Sequence, residues 1–146
     1  MKRLVPYVLA LCSVSLHAGD VELGESDQAA VHAAANDYAQ GWYSGDRERM
    51  ARALHDDLAK RAMLRDKRGM RRLDTMDKAA LLAANTPENA QRYAKAPKRT
   101  DIEILDGVGS AATVKLRMDD WVDYLHVVRG SDGEWRIVDV LWEPLP

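Results

Sequence analysis

Residues 100–144 read TDIEILDGVGSAATVKLRMDDWVDYLHVVRGSDGEWRIVDVLWEP, and the alternation within them decides the fold. Ala112, Val114, Leu116 and Met118 are apolar, and Thr113, Lys115 and Arg117 stand between them. That period of two predicts a strand with one buried face. Ile102–Leu105 is a strand before it, and Asp106-Gly107-Val108-Gly109 is a turn. Trp121–Val128 follows, then a turn at Gly130-Ser131-Asp132-Gly133. Trp135–Trp142 is the last strand. It stops at Trp142-Glu143-Pro144, because proline has no amide proton for a ladder. Short glycine-bearing turns between strands of this length predict antiparallel neighbours.

Upstream the period changes to helical. Val31, Ala34, Ala35, Tyr38 and Trp42 share one helix face, with Ser26 or Asp27 as the expected N-cap. Gly41 weakens this helix by about 1 kcal/mol relative to alanine, so it is expected where something packs close. Ser44-Gly45 ends it, and Asp46 caps a short helix whose apolar face is Met50, Ala53 and Leu54. Leu58–Leu64 reads as an edge strand, Lys67-Arg68-Gly69 as its turn, and Met70–Leu73 as the returning strand. Asp74 or Thr75 is expected to cap a third helix holding Ala79, Leu81, Leu82 and Ala84. Asn85 suits a left-handed helix end, and Pro87 marks the stop. Glu88–Lys98 reads as either a short helix around Tyr93 or a loop. Helices come first and strands last, which is the α+β pattern rather than alternating β/α.

The first residues have a different character. Lys2 and Arg3 precede an uncharged, largely apolar run from Leu4 to Leu16, and Ala18 is a small residue before Gly19. This is the layout of a secretory signal peptide over residues 1–18. The run is shorter than the roughly 20 apolar residues that a membrane-spanning helix requires. Leu11 is too large to precede a lipidated Cys12. Cleavage after Ala18 removes the one cysteine, so residues 19–146 are expected to form a single domain held by core packing without disulfides. The expected location is exported: periplasmic or secreted. The formal charge of −2 gives no basis for nucleic-acid or membrane binding.

Two stretches carry a family resemblance. One runs from Asp37-Tyr38-Ala39-Gln40-Gly41-Trp42-Tyr43-Ser44-Gly45-Asp46 through Arg49-Met50 and on to Ala53-Leu54-His55-Asp56-Asp57-Leu58-Ala59-Lys60-Arg61. The other joins Asp120-Trp121-Val122-Asp123-Tyr124-Leu125 to Asp132-Gly133-Glu134-Trp135-Arg136-Ile137-Val138. A helix ending in Gly-Asp, a short helix ending near His-x-Asp and a final Gly-x-Trp-x-Ile-Val strand resemble the nuclear-transport-factor-2-like superfamily. The likeness is greatest to its putative lumazine-binding branch, near the SnoaL-like proteins, and spans nearly all of residues 27–143. It implies a cone of N-terminal helices packed on a strongly curved, mainly antiparallel sheet, and a homodimer. This fold hosts isomerases, cyclases, dehydratases, transport adaptors and plain binders, so it does not by itself name a function.

The ketosteroid-isomerase branch uses a tyrosine on the first helix and a carboxylate base after the second. By resemblance Tyr38 falls at the tyrosine position. Ala62 occupies that of the base, which removes the main acid–base element of that reaction. Tyr38 is either a ligand-facing hydroxyl or a core aromatic, and Trp42 lies four residues on along the same face. His55 follows a helix end, where the last carbonyls favour a cation, and is also a candidate donor at a pocket mouth. On the Trp121–Val128 strand, Tyr124 and His126 share one face, and Trp121, Asp123 and Leu125 share the other. Both faces carry apolar residues, so either can look inward. Arg117 and Asp139 are candidate cross-strand partners. The basic stretch of Lys60, Arg61, Arg65, Lys67, Arg68, Arg71 and Arg72 reads as a solvated edge.

His32, His55 and His126 are too scattered for a metal site. No nucleophile elbow, phosphate-cradling glycine loop or cysteine nucleophile is present, and no cofactor is expected. Three functions stay open. The first is a small-ligand-binding domain lined by Tyr38, Trp42, His55, Trp121, Tyr124, His126 and Trp142. The second is a cofactor-independent lyase, isomerase or hydrolase using His55 or His126 with Tyr38. The third is a protein-interaction module using its sheet face.

Overall fold

A computed structural model describes residues 22–95 and 97–146 of the chain, so the signal-peptide reading of residues 1–18 and Cys12 lies outside the described residues. Helix α1 spans Glu25–Ser44 and α2 spans Arg47–Ala53. Strand β1 (Leu54–Arg65) and β2 (Arg71–Asp77) form a hairpin. Two short helices follow, α3 (Lys78–Ala84) and α4 (Pro87–Gln91). Strands β3 (Asp101–Val108), β4 (Ala111–Arg117), β5 (Trp121–Arg129) and β6 (Trp135–Pro144) complete one six-stranded sheet in the order β2-β1-β6-β5-β4-β3.

Every neighbouring pair is antiparallel except β1 and β6, which run parallel. Register shifts occur in β1 between Leu54 and Ala59, in β3 between Ile104 and Asp106, and in β6 at Val138, opposite His126 and Val127 of β5. Such irregularities bend a strand and increase its twist. The sheet therefore curves around α1, and its concave face meets Val31, Ala35 and Tyr38. Ala112, Val114 and Leu116 from β4 are buried on that face as the alternation requires, with Leu125, Val127, Ile137 and Val140 from the next two strands.

The helical turns follow from identifiable side chains. Gly45 takes the left-handed conformation (φ 68°) and returns its amide to the end of α1. The Asp46 carboxylate accepts the Arg49 amide at 2.9 Å and caps α2. At Gly41 a Cβ would lie 2.9 Å from Met50 Cβ and Met50 N, so glycine is what lets α1 and α2 touch.

Several local expectations are corrected. Helix α1 begins at Glu25 with Gly24 as its cap. Asp27 is drawn elsewhere, accepting Trp135 Nε1 at 3.0 Å and Arg129 Nη1 at 3.1 Å. β1 is not an edge strand: β2 covers one side of it and β6 the other. Asp74 and Thr75 lie inside β2, paired with Ala62 and Arg61, and the strand runs on to Asp77, which stands next to α3 and caps it by accepting the Ala80 amide. Asn85 is not left-handed (φ −81°), and its buried Nδ2 donates to Gly41 O. Pro87 is the first residue of α4 rather than a plain stop.

Tyr43 anchors the loop before β3. Its hydroxyl donates to Arg99 O at 2.7 Å and accepts from Asp119 N at 3.0 Å. Burial chiefly, with the nearby Asp119 carboxylate, pushes the phenol up to about 12. An unfolded tyrosine titrates near 10. Between those values the folded chain holds a proton that the unfolded chain has released, so stability present below about pH 10 is lost as pH rises towards 12. Denaturant midpoints should therefore fall across this range, and Tyr43→Phe should flatten that fall.

Candidate functional site

The site is built around a lysine on β1. Leu58, Lys60 and Ala62 alternate along the concave face, so the pleat that buries Leu58 and Ala62 carries Lys60 inside with them. A lone buried ammonium is costly unless paired and hydrogen-bonded. Here Lys60 Nζ donates to Asp123 Oδ1 at 2.7 Å and to Tyr38 Oη at 2.7 Å. The Lys60 side chain is 8% exposed and that of Asp123 is fully buried, so both charges are out of bulk water. The second Asp123 oxygen, Oδ2, accepts Trp121 Nε1 at 2.9 Å. Helix α1, strand β1 and strand β5 thus meet in one polar cluster.

Aromatic rings surround it. Lys60 Nζ lies 5.1 Å from the Trp142 ring centre and 5.5 Å from that of Tyr38, within cation–π range. Trp121 makes edge contacts with Trp42 at 5.8 Å and with Trp142 at 6.2 Å. These groups line a half-open cavity of about 170 Å³. Tyr38, Lys60 and the three tryptophans form one side, and Met76, Leu81 and Ala84 of β2 and α3 form the other.

Electrostatics set the protonation of this floor. Burial pulls the Lys60 ammonium below the ordinary lysine range, and Asp123 opposes that pull. Burial, then the Asp123 carboxylate, holds the Tyr38 phenol well above its usual value. Tyr38 is therefore a neutral hydroxyl that accepts from Lys60, with its own proton turned towards the Asp123 carboxylate. A lysine ammonium has three N–H groups, and two are committed here, so the third is available to the cavity it lines.

The structure brings together Tyr38, Trp42, Trp121 and Trp142 of the residues expected from sequence. It separates Tyr124, His126 and His55 from them. Tyr124 and His126 lie on the convex face of the sheet: Tyr124 is 41% exposed, and His126 Nδ1 faces Asp139 Oδ2 at 3.5 Å. The reason is parity, since Asp123, Leu125 and Val127 take the concave positions of β5. His55 sits in a separate open hollow with Arg52, Asp56, Asp132 and Arg136, and its Nδ1 accepts the Asp57 amide at 3.1 Å. Neither His55 nor His126 is thus brought to Tyr38 as an acid–base partner. Asp139 pairs with Arg61 at 2.7 Å instead of with Arg117.

Lys60 and Asp123 are the pair that a reading by charge alone misses. Lys60 belongs by charge to the basic stretch expected at a solvated edge, and its apolar neighbours at two-residue spacing, Leu58 and Ala62, are the signal that it points inward. Ala62, at the position that the resemblance assigns to the isomerases' base, is itself buried on the concave face and offers only a methyl group.

The fold also occurs in solved structures. A nuclear-transport-factor-2-like protein of unknown function from Methylobacillus flagellatus KT superposes with a TM-score of 0.70 at 19% identity, over 87% of this chain and 98% of that one. One from Shewanella baltica OS155 gives a TM-score of 0.64 at 18% identity, over 83% and 95%. A ketosteroid isomerase-like protein from Erwinia carotovora atroseptica SCRI1043 gives 0.61 at 12% identity, over 84% and 99%. At these identities the likeness is one of fold. No curated protein matches the chain in sequence. The family model described as "Putative lumazine-binding" matches residues 26–143, and the chain belongs to that family, within the nuclear-transport-factor-2-like superfamily.

Proposed function

We propose that this protein is an exported, homodimeric small-ligand-binding domain, and that its ligand is a small planar molecule bearing an uncharged acceptor such as a carbonyl. The observation that carries the reading is the Lys60–Asp123–Tyr38 cluster at the floor of the tryptophan-lined cavity. The third Lys60 N–H is a donor that a ligand oxygen can accept, beside the neutral Tyr38 hydroxyl. Asp123 already balances the Lys60 charge, so a ligand carboxylate would bring an unpaired anion into a buried site, whereas a carbonyl would not. The volume of about 170 Å³ is close to the ~150 Å³ apolar cavity that takes up benzene and below the roughly 300 Å³ where drug-sized sites begin. Lumazine, named in the family's description, offers ring carbonyls of the required kind, and its two fused rings exceed a benzene-sized volume.

Support for the dimer comes from the convex face. Tyr124 and Leu141 are cross-strand partners there, as are Met63 and Leu73, and all four are exposed. Apolar side chains grouped on one sheet face mark an interaction surface.

Native mass spectrometry of the protein purified from its own host tests these readings together. The expected result is a dimer of chains starting at Gly19, each with one retained small molecule. Chains that carry nothing and bind nothing in a screen of small carbonyl compounds would overturn the ligand reading. Leu141→Arg should shift the species to monomer, because the substitution puts a charge in the apolar convex patch. A dimer unchanged by that substitution would place the contact elsewhere.

A further inference from the structure

We propose that Lys60 is a nucleophile that forms a reversible imine with a small planar aldehyde held in the cavity, with Asp123 and Tyr38 moving the protons. The inference rests on the ligand site proposed above and names the chemical class it takes. Imine formation needs an amine in a confined apolar space, a base to free it, and a proton donor for the carbonyl oxygen. Lys60 Nζ has both partners at 2.7 Å: the Asp123 carboxylate on one side and the Tyr38 hydroxyl on the other. Burial favours the neutral amine over the ammonium, which is the form that attacks. The tryptophan edges and Met76 give the amine a largely apolar surround.

The steps balance without an oxidant or reductant. Asp123 takes one ammonium proton and becomes a carboxylic acid. The amine lone pair forms a C–N bond to the aldehyde carbon as the carbonyl π pair moves to oxygen. Tyr38 passes its hydroxyl proton to that oxygen and takes one from the nitrogen, leaving a neutral carbinolamine. The Asp123 acid protonates the carbinolamine hydroxyl, water departs, and the nitrogen lone pair closes the C=N bond. A protonated imine then faces the Asp123 carboxylate. The floor holds one cation and one anion before and after, so the buried site never carries a net charge in either resting state. No carboxylate stands at Ala62 on the neighbouring concave position, so deprotonation of a bound carbonyl compound lacks a free base there, and the lysine is the reactive group of the site.

The test uses benzaldehyde as the probe, with the intact protein and sodium borohydride to reduce any imine to a stable secondary amine. Mass spectrometry should find one adduct per chain, and peptide mapping should place it on Lys60 in preference to exposed lysines such as Lys67 and Lys98. In Lys60→Arg, which keeps a cation opposite Asp123, the Lys60-dependent adduct should disappear. Peptide mapping of the unsubstituted chain gives the answer even if that variant fails to fold. Tryptophan fluorescence in the presence of benzaldehyde, without borohydride, separates the two readings. Quenching with labelling only at surface lysines overturns the imine and leaves the binding site standing. Neither quenching nor labelling overturns both.

Discussion

Asp123→Ala should destabilise the protein by about 3–5 kcal/mol, the cost of breaking a buried ion pair from one side. The carboxylate accepts Lys60 Nζ and Trp121 Nε1 through its two oxygens, so alanine orphans an ammonium and an indole N–H together. Lys60 is 7% exposed, so its ammonium is largely out of bulk water. At roughly 4 °C per kcal/mol for a domain of this size, the melting temperature should fall by about 12–20 °C. The double substitution Lys60→Met with Asp123→Leu should recover most of that loss, because two apolar side chains of similar volume leave no buried charge. Thermal unfolding of the three proteins measures it. A single variant within 1 kcal/mol of the parent, on the scale of an exposed pair, would mean that the Lys60 ammonium finds water in solution.

Gly45→Ala should cost about 2–5 kcal/mol, from two sources. The left-handed backbone (φ 68°) costs a residue with a Cβ about 1–2 kcal/mol. The added methyl would also lie 2.9 Å from Thr86 O and from Pro87 N and Cα, all backbone atoms at the start of α4, and overpacking adds about 1–3 kcal/mol. Gly69 is the control. It has a similar φ of 78° but nothing within 4 Å of its absent Cβ, so Gly69→Ala should show the conformational cost alone. Equal losses at the two positions, measured by chemical denaturation, would show that α4 moves aside and that the Gly45 contact is soft.

The Gly45 contact also shows where a linear reading stops. That Gly45 ends α1 follows from local chemistry, since a glycine after a helical run is the residue that takes a left-handed turn most readily. That it also abuts Pro87, more than forty positions away, depends on α1 and α4 packing together. The Asp46 cap was legible because it involves a carboxylate and an amide three residues apart. The cap of α3 was not. Asp74, Thr75 and Asp77 are all suitable in isolation, and the length of the β1–β2 pairing, which runs from Arg71 to Asp77, leaves only the last of them next to the helix. The edge position assigned to β1 failed for a related reason: its parallel partner, β6, lies at the far end of the chain, and no local pattern announces a parallel pairing.

At the site the division falls between residue type and direction. Tyr38, Trp42, Trp121 and Trp142 could be chosen from sequence because aromatic side chains at helical or two-residue spacing point to one side of their element. The period of two also placed Asp123 with Trp121 and Leu125, and Tyr124 with His126, on opposite faces of β5. It could not say which face looks inward, because both carry apolar side chains. Curvature of the sheet around α1 decided that, turning Asp123 into the core and His126 out of it. The sequence by itself determined the α+β order of elements, the strand alternation and the family, because these are properties of neighbouring residues. Only the tertiary structure decided that Lys60 of β1, Asp123 of β5 and Tyr38 of α1 meet. A buried charge is held in place by its partners, and those partners lie 63 and 22 positions away along the chain.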